Sequence, residues 1–148
     1  MRALIALALA FSGVAVAIAA SPEIQGAPLD AEARAPLPQV EVDRGVTYLN
    51  GGAGLGEVAY FKSRAGEFPL QIIFSGRGGE YTVAERVTIR NGDRVVVSVP
   101  DAGPYLMLQL PRGRYAVEAV FNGAVESRSV TVGGGVSKVN WNSSKASN

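Results

Sequence analysis

The stretch RYAVEAVFNG, residues 114–123, alternates apolar with other side chains and then ends in Asn-Gly. Such alternation over a short run is typical of a half-buried β-strand, because successive side chains point to opposite faces of a sheet. Asn122-Gly123 tolerates the positive φ angles of a two-residue type I′ turn, whose twist matches that of a hairpin. The stretch therefore predicts a strand that enters an antiparallel hairpin. The residues that share its apolar face are Tyr115, Val117, Ala119 and Phe121.

The same two-residue period recurs in short runs between residues 70 and 141. In RVVVSV, residues 94–99, it places Val95, Val97 and Val99 on one face. Asn91-Gly92, just before this run, predicts a second type I′ turn. Seven or eight such strands, separated by turn residues, predict an all-β fold, an antiparallel Greek-key sandwich of two sheets. Further apolar faces are formed by Leu70, Ile72 and Phe74, by Val87 and Ile89, and by Leu106, Leu108 and Leu110.

One segment departs from this period. In GEVAYFKSRAGEF, residues 56–68, four apolar residues recur at the spacing of a helical stripe. Glu57 lies at the start of the segment and Arg64 near its end, as the helix dipole favours. The pattern predicts one short added helix at about 56–65, covering an open side of the sandwich. The residues of its stripe are Val58, Phe61, Ala65 and Phe68.

Residues 1–20, MRALIALALAFSGVAVAIAA, have the layout of a secretory signal peptide: one basic residue, a long apolar run and small residues at the end. The alternative is a retained membrane anchor, since the apolar run approaches the roughly 20 residues that a spanning helix needs. The alanines and Gly13 make the run weakly apolar, which favours cleavage after Ala19 or Ala20. We therefore expect a periplasmic or secreted protein with no stable membrane anchor after cleavage.

Composition divides the rest of the chain into three parts. Residues 21–44 contain four prolines and predict an extended leader or linker, with a short strand at 40–42. Residues 45–142 carry the alternating pattern and form the predicted β-sandwich domain. Residues 143–148, SSKASN, are small and polar, and we expect them to be a disordered tail.

Charge and composition exclude several classes of function. Subtracting Arg2 of the signal peptide from the 14 basic residues leaves 13, equal to the 13 acidic residues, so the mature chain carries no net charge. Without a cluster of lysine and arginine in the sequence, no nucleic acid or anionic lipid is expected as a partner. The chain has neither histidine nor cysteine, which excludes a Ser-His-Asp triad, a thiol nucleophile and an imidazole zinc site. We expect no catalytic residue, cofactor or metal.

Paired carboxylates are the one catalytic arrangement that the composition leaves open. Charges that alternate with apolar residues are more typical of the solvated face of a sheet, and we interpret the acidic residues in this way. They are Glu80, Glu85, Asp93, Asp101, Glu118 and Glu126.

The stretch GGAGLG, residues 51–56, raises the question of phosphate binding, because glycine-rich loops before a helix often hold phosphate. A dinucleotide-binding fingerprint that starts at Gly52 needs glycine at position 57, where Glu57 stands, and a P-loop needs a lysine that is missing. We interpret the stretch as a flexible connection between a strand and a helix, whose glycines supply unusual backbone angles.

Aromatic residues provide the candidate binding surface. Tyr115 and Trp141 lie in phase with apolar neighbours and are predicted to be core, whereas Tyr81 is open to either role. Exposed aromatic side chains on a sandwich can stack on sugar rings or anchor a protein partner. The surface that we predict for a partner or a glycan consists of Tyr48, Gly52, Gly54, Tyr60 and Tyr105.

The run LPRGRYAVEAVFNG, residues 110–123, resembles the L-P-x-G-x-Y-x-V pattern of carboxypeptidase regulatory-like domains, which have a transthyretin-like (prealbumin-like) β-sandwich. The resemblance implies a Pro-x-Gly turn at 111–113 leading into a strand whose Tyr115 packs inward. The chain is also similar to small exported proteins of Gram-negative bacteria that carry such a domain. The segments that correspond are Gly51-Gly52-Ala53-Gly54, the helix, the strand at 70–75 and Asp101-Ala102-Gly103-Pro104-Tyr105.

The resemblance implies a non-enzymatic role, because domains of this kind are usually non-catalytic. The enzyme among transthyretin relatives, hydroxyisourate hydrolase, relies on histidines, which this chain lacks. We therefore expect an exported β-sandwich domain that binds or supports another cell-envelope protein. The alternative is a carbohydrate-binding module that recognises a glycan through exposed aromatic side chains, since several relatives are classed as carbohydrate-binding-like.

Overall fold

Nine β-strands and one α-helix form the part of the chain that the computed structural model describes, residues 36–146. The predicted signal peptide, and the leader as far as residue 35, lie outside the described residues. A single 3₁₀ turn, Ala65–Glu67, follows the helix. The elements are β1 Val40–Asp43, β2 Val46–Gly51, α1 Leu55–Arg64, β3 Leu70–Ser75, β4 Ala84–Asn91, β5 Arg94–Ala102, β6 Tyr105–Leu108, β7 Gly113–Phe121, β8 Ala124–Val132 and β9 Ser137–Asn142.

The strands form two sheets, and the all-β sandwich with one short helix is confirmed. Sheet A has the order β1-β2-β6-β3-β9 and sheet B the order β5-β4-β7-β8. Every pair of neighbouring strands is antiparallel except β3 and β9, which run parallel. The described strands exceed the seven or eight predicted, because β1 lies in the predicted leader, where a short strand was expected, and pairs with β2.

The β7–β8 hairpin has the predicted geometry. Phe121 pairs with Ala124, and the two residues between them, Asn122 and Gly123, have φ angles of 50° and 73°. Positive φ at both central positions defines a type I′ turn. The predicted apolar face of β7 is buried along its whole length, from Tyr115 to Phe121.

The β4–β5 turn differs from the prediction by one residue. Asn91 pairs with Arg94, so the central residues of the turn are Gly92 and Asp93 rather than Asn91 and Gly92. Only Gly92 has a positive φ angle, 60°, whereas a type I′ turn needs two. The predicted type I′ turn at this position is therefore wrong.

A β-bulge in β5 also changes which valines enter the core. Ile89 pairs with Val97 but Arg90 pairs with Val95, which leaves Val96 as the extra residue. Val96 and Val97 are consequently both buried, whereas Val95 is only half-buried. The predicted face of Val95, Val97 and Val99 holds for the last two and is wrong for Val95, because the bulge inverts the alternation.

Sheet A is covered on both faces. Its inner face packs on sheet B, with Trp141, Phe74 and Phe121 in the core between the sheets. The outer face packs on α1, whose Phe61 is fully buried, and on Phe68 just after the 3₁₀ turn. The predicted helix is confirmed, with bounds shifted by one residue at each end. Burying a side chain such as Phe61 contributes about 1.5–3 kcal/mol, so the helix is a substantial part of the fold.

The C-terminal segment makes defined contacts through Glu126 on β8. Its carboxylate accepts hydrogen bonds from Trp141 Nε1 at 2.8 Å, Ser143 Oγ at 2.9 Å and Ser144 N at 3.2 Å. Ser143 is fully buried, although the predicted disordered tail begins there. The polar composition that suggested disorder is explained by the carboxylate that these serines contact. Residues 147–148 lie outside the described part of the chain.

These contacts make stability depend on the charge of Glu126. Burial alone would raise the pKa of the Glu126 carboxyl, but the hydrogen bonds from Trp141, Ser143 and Ser144 outweigh it, and the pKa lies below its usual value. Because the folded-state pKa is lowered, the stabilisation is present above the pKa of an unfolded glutamate. It is lost as the pH falls through the folded-state value.

We predict that Glu126→Gln lowers the free energy of unfolding by about 1–3 kcal/mol at about pH 7, because a charged acceptor of several hydrogen bonds is lost. The difference from the wild type should shrink as the pH falls from about 7 to about 3, because acid progressively protonates the carboxylate and removes the charged acceptor. Urea denaturation at both pH values measures the difference in the free energy of unfolding between the variant and the wild type.

Glu118→Gln is the matched control. Glu118 lies on the neighbouring strand and forms a half-exposed ion pair with Arg90 at 3.6 Å. Its substitution should cost less than about 1 kcal/mol. Equal losses in the two variants, or a loss at Glu126 that does not depend on pH, would contradict the prediction.

Candidate functional site

The glycine stretch between β2 and α1 folds back onto a carboxylate of its own helix. Glu57 Oε2 accepts hydrogen bonds from the backbone N–H of Gly52 at 2.7 Å and of Ala53 at 3.1 Å. These are amides that a bound phosphate would need. The loop therefore contains its own anion, in the first turn of the helix, where the helix dipole stabilises negative charge.

Close backbone packing holds the same loop against the segment before β6. A Cβ on Gly52, at φ 94°, would lie 2.5 Å from Tyr105 Cδ2, and a Cβ on Gly103 would lie 2.7 Å from the carbonyl oxygen of Gly51. Asn50 joins the two segments: it donates to the Asp101 carbonyl at 3.1 Å and accepts from Gly103 N at 2.6 Å. The predicted unusual backbone angles are present, but the expected flexible connection is a packed one.

We call this end of the sandwich the glycine corner, comprising residues 51–56, 101–105 and Tyr81. Tyr81 Oη lies 3.0 Å from Tyr105 Oη and is 56% exposed. Burial raises the pKa of Tyr105 to about 12, with a further contribution from the Tyr81 hydrogen bond, so its hydroxyl stays protonated. Tyr105 is thus a structural support for the corner.

Two members of the predicted aromatic surface are not at the surface. Tyr48 is 5% exposed and Tyr105 is 6% exposed, because they lie on opposite faces of sheet A and both faces are covered. Tyr48 donates to Glu41 Oε2 at 2.9 Å. Tyr60 is half-buried on α1, and its hydroxyl accepts from Arg64 Nη1 at 2.6 Å. Of the predicted set, Gly52 packs against Tyr105, and Tyr60 packs against the same cluster under α1.

The exposed residue that the sequence did not indicate is Leu55. It is the first residue of α1, and its side chain is 92% exposed. It precedes Val58 by three positions, and the helical period alone would place it on the buried stripe. The buried stripe therefore begins at Val58, which is half-buried, and Leu55 in the first turn lies outside it.

A cavity of about 370 Å³ opens at the opposite end of the sandwich. The β1–β2 turn, the β4–β5 turn and the β6–β7 loop surround it. We call it the arginine cavity, because Arg44, Arg94 and Arg112 line it and no acidic residue does. These arginines are far apart in the sequence, and no local signal connects them. Asn91, Gln109 and Tyr115 also line it.

The turn predicted from the L-P-x-G-x-Y pattern forms one wall of the arginine cavity. Tyr115 is buried, and its hydroxyl donates to the carbonyl oxygen of Pro111 at 2.7 Å. A hydrogen bond from a tyrosine at a strand start to backbone a few residues upstream has the geometry of a tyrosine corner. It holds the 111–115 loop in place.

Several of the acidic residues considered for a paired-carboxylate mechanism form structural contacts instead. Glu85 accepts from Gly123 N at 3.1 Å, Glu118 pairs with Arg90, and Glu126 binds Trp141. Within residues 36–146, no three acidic side chains gather closely enough to hold a metal ion. No helix in this part of the chain is long and apolar enough to cross a membrane.

No protein-family model matches the chain, and no curated protein matches it either. The resemblance to carboxypeptidase regulatory-like domains therefore stays a prediction from its residues.

The packing of the glycine corner predicts that alanine substitution destabilises the protein at one of its glycines and not at another. Gly52→Ala should lower the free energy of unfolding by about 1–3 kcal/mol, because its positive φ and the Tyr105 ring both exclude a Cβ. Gly54 has ordinary backbone angles and open space around it, so Gly54→Ala should stay within about 0.5 kcal/mol of the wild type. Urea denaturation measures both, and equal stabilities would contradict the packed loop.

Proposed function

We propose that this chain is an exported, non-enzymatic β-sandwich domain that binds or supports another protein of the cell envelope. The observation that carries the proposal is the exposed Leu55, which projects from the tightly held glycine corner. Export rests on the layout of residues 1–20. The non-enzymatic role rests on a sequence without histidine or cysteine.

A rigid apolar projection suits a protein partner. Tyr81, which is also exposed, lies at the same corner through its contact with Tyr105. Glu57 and Tyr105 hold the loop that presents Leu55, so binding would cost little ordering entropy. Contiguous exposed apolar surface marks interaction sites, and Leu55 with Tyr81 is the part of this corner that can contribute to one.

The burial of Tyr48 and Tyr105 bears on the glycan alternative. Stacking on a sugar ring requires an accessible aromatic face, and neither ring has one. Tyr81 is 56% exposed and Tyr60 is half-buried, so a glycan site through these two residues is the alternative, and the protein-binding role is the one tested below.

Export makes a direct prediction about the mature N-terminus. Expression of the full chain in a Gram-negative host should yield a periplasmic protein whose first residue is Ala20 or Ser21. N-terminal sequencing of the purified periplasmic form measures it. Recovery of the chain with residues 1–20 intact in the membrane fraction would instead support the retained anchor.

The glycine corner makes a prediction about contacts in the cell envelope. A photo-reactive phenylalanine analogue introduced at position 55 should give a discrete crosslinked adduct in the periplasm. The same analogue at position 125 is the control, because Val125 is also exposed, at 62%, but lies on β8 at the edge of the other sheet. No adduct at position 55, or the same adducts at both positions, would contradict the assignment of this surface.

A further inference from the structure

We propose that the arginine cavity is a binding site for a small hydroxylated oxyanion, a sugar acid or a sugar phosphate. This site lies at the other end of the sandwich from the glycine corner and is independent of the role proposed above. Its volume, about 370 Å³, is within the range of small-molecule sites.

The charge of the cavity is not neutralised by the protein. The side chains of Arg94 and Arg112 make no hydrogen bond or ion pair with any protein group in residues 36–146. Arg44 is paired with its neighbour Asp43, and Asp43 is also held by the backbone N–H of Ser98 at 2.9 Å. Two arginines whose side chains have no protein partner among the described residues therefore line one concave site, and the planar fork of a guanidinium group matches the oxygens of carboxylate and phosphate.

The bulge in β5 contributes to this site. Arg94 and Val96 are two residues apart and both line the cavity. The bulge that turns Val96 into the core also places Arg94 on that side of the strand. A regular β5 would direct both residues away from the core face. Bulges are frequent next to binding sites for this reason, since they re-aim side chains at the end of a strand.

The opposite wall is held by hydrogen bonds. Tyr115 fixes the loop that carries Arg112 by donating its only proton to Pro111. Gln109 donates to the Glu67 carbonyl at 3.3 Å, which anchors the start of the same loop. Asn91 adds a side-chain amide from the β4–β5 turn. Such groups suit hydroxyls, so a ligand with hydroxyls beside its oxyanion matches the lining better than a bare anion.

A second, smaller hollow of about 180 Å³ adjoins the arginine cavity and shares Leu110 and Arg112 with it. Gly133, Gly134 and Gly135 of the β8–β9 connection form its far side. Arg112 thus stands between the two hollows, and a ligand held by Arg112 can extend into either.

The test is titration of the mature chain with glucuronate, glucose 6-phosphate and glucose, followed by calorimetry and by backbone amide chemical shifts. We expect at least one of the two anions to bind, with shifts confined to residues 44–46, 91–96 and 109–115. Binding of glucuronate alone identifies a carboxylate ligand, and binding of glucose 6-phosphate alone identifies a phosphate ligand. Glucose should bind at least about tenfold more weakly than the anion that binds, because it lacks a charged partner for the guanidinium groups.

Variants decide whether the cavity is the site. Arg94→Ala and Arg112→Ala should each lower the affinity for the anion by at least about tenfold. Arg114→Ala removes the same charge from an exposed position on β7 outside the cavity and should leave the affinity unchanged. Unchanged thermal unfolding midpoints confirm that the variants fold. The proposal is overturned if neither anion binds, if glucose binds as well as the anions, or if Arg114→Ala weakens binding as much as the cavity variants.

Discussion

The double burial of sheet A is the constraint on which the rest of the structure depends. β6 lies between β2 and β3, and all four of its residues, Tyr105–Leu108, are buried. Leu106 and Leu108 pack into the core between the sheets, whereas Tyr105 and Met107 pack under α1. Without the helix, an apolar face of this sheet would be open to water. The helix is therefore a third layer of the fold, and the glycine corner exists because the chain must turn from β2 onto that face.

This constraint also explains which parts of the fold the sequence predicts. β7 and β8 in sheet B have one solvated face, so their alternation is clean, and the hairpin with Asn122-Gly123 was predicted correctly. In β2, β6 and β3, the inner strands of sheet A, an apolar residue faces a covering layer whichever way it points, so the period does not separate core from surface. Tyr105 was misassigned as a surface residue because its burial depends on a helix about 45 residues earlier in the chain. No window around Tyr105 contains that information.

The candidate sites also differ in whether neighbouring residues in the sequence are enough to predict them. The L-P-x-G-x-Y turn is local, and the inward packing of Tyr115 followed from a few neighbouring residues. The arginine cavity depends on strand register, which places the β1–β2 turn, the β4–β5 turn and the β6–β7 loop at one end of the sandwich. It also depends on a bulge whose extra residue, Val96, is one of three consecutive valines. Nothing in the run RVVVSV shows which valine will be the extra one.

The arginine cavity also shows that the net charge of the chain does not predict the charge of a local site. A mature chain with equal numbers of acidic and basic residues, and no cluster of basic residues in its sequence, was expected to have no affinity for nucleic acid or anionic lipid. That expectation concerns extended surfaces, where many charges must act together. Folding places Arg44, Arg94 and Arg112 around one hollow although they are distant in the chain. Because a concave site concentrates its field within its walls, overall neutrality is compatible with a local site for one small anion.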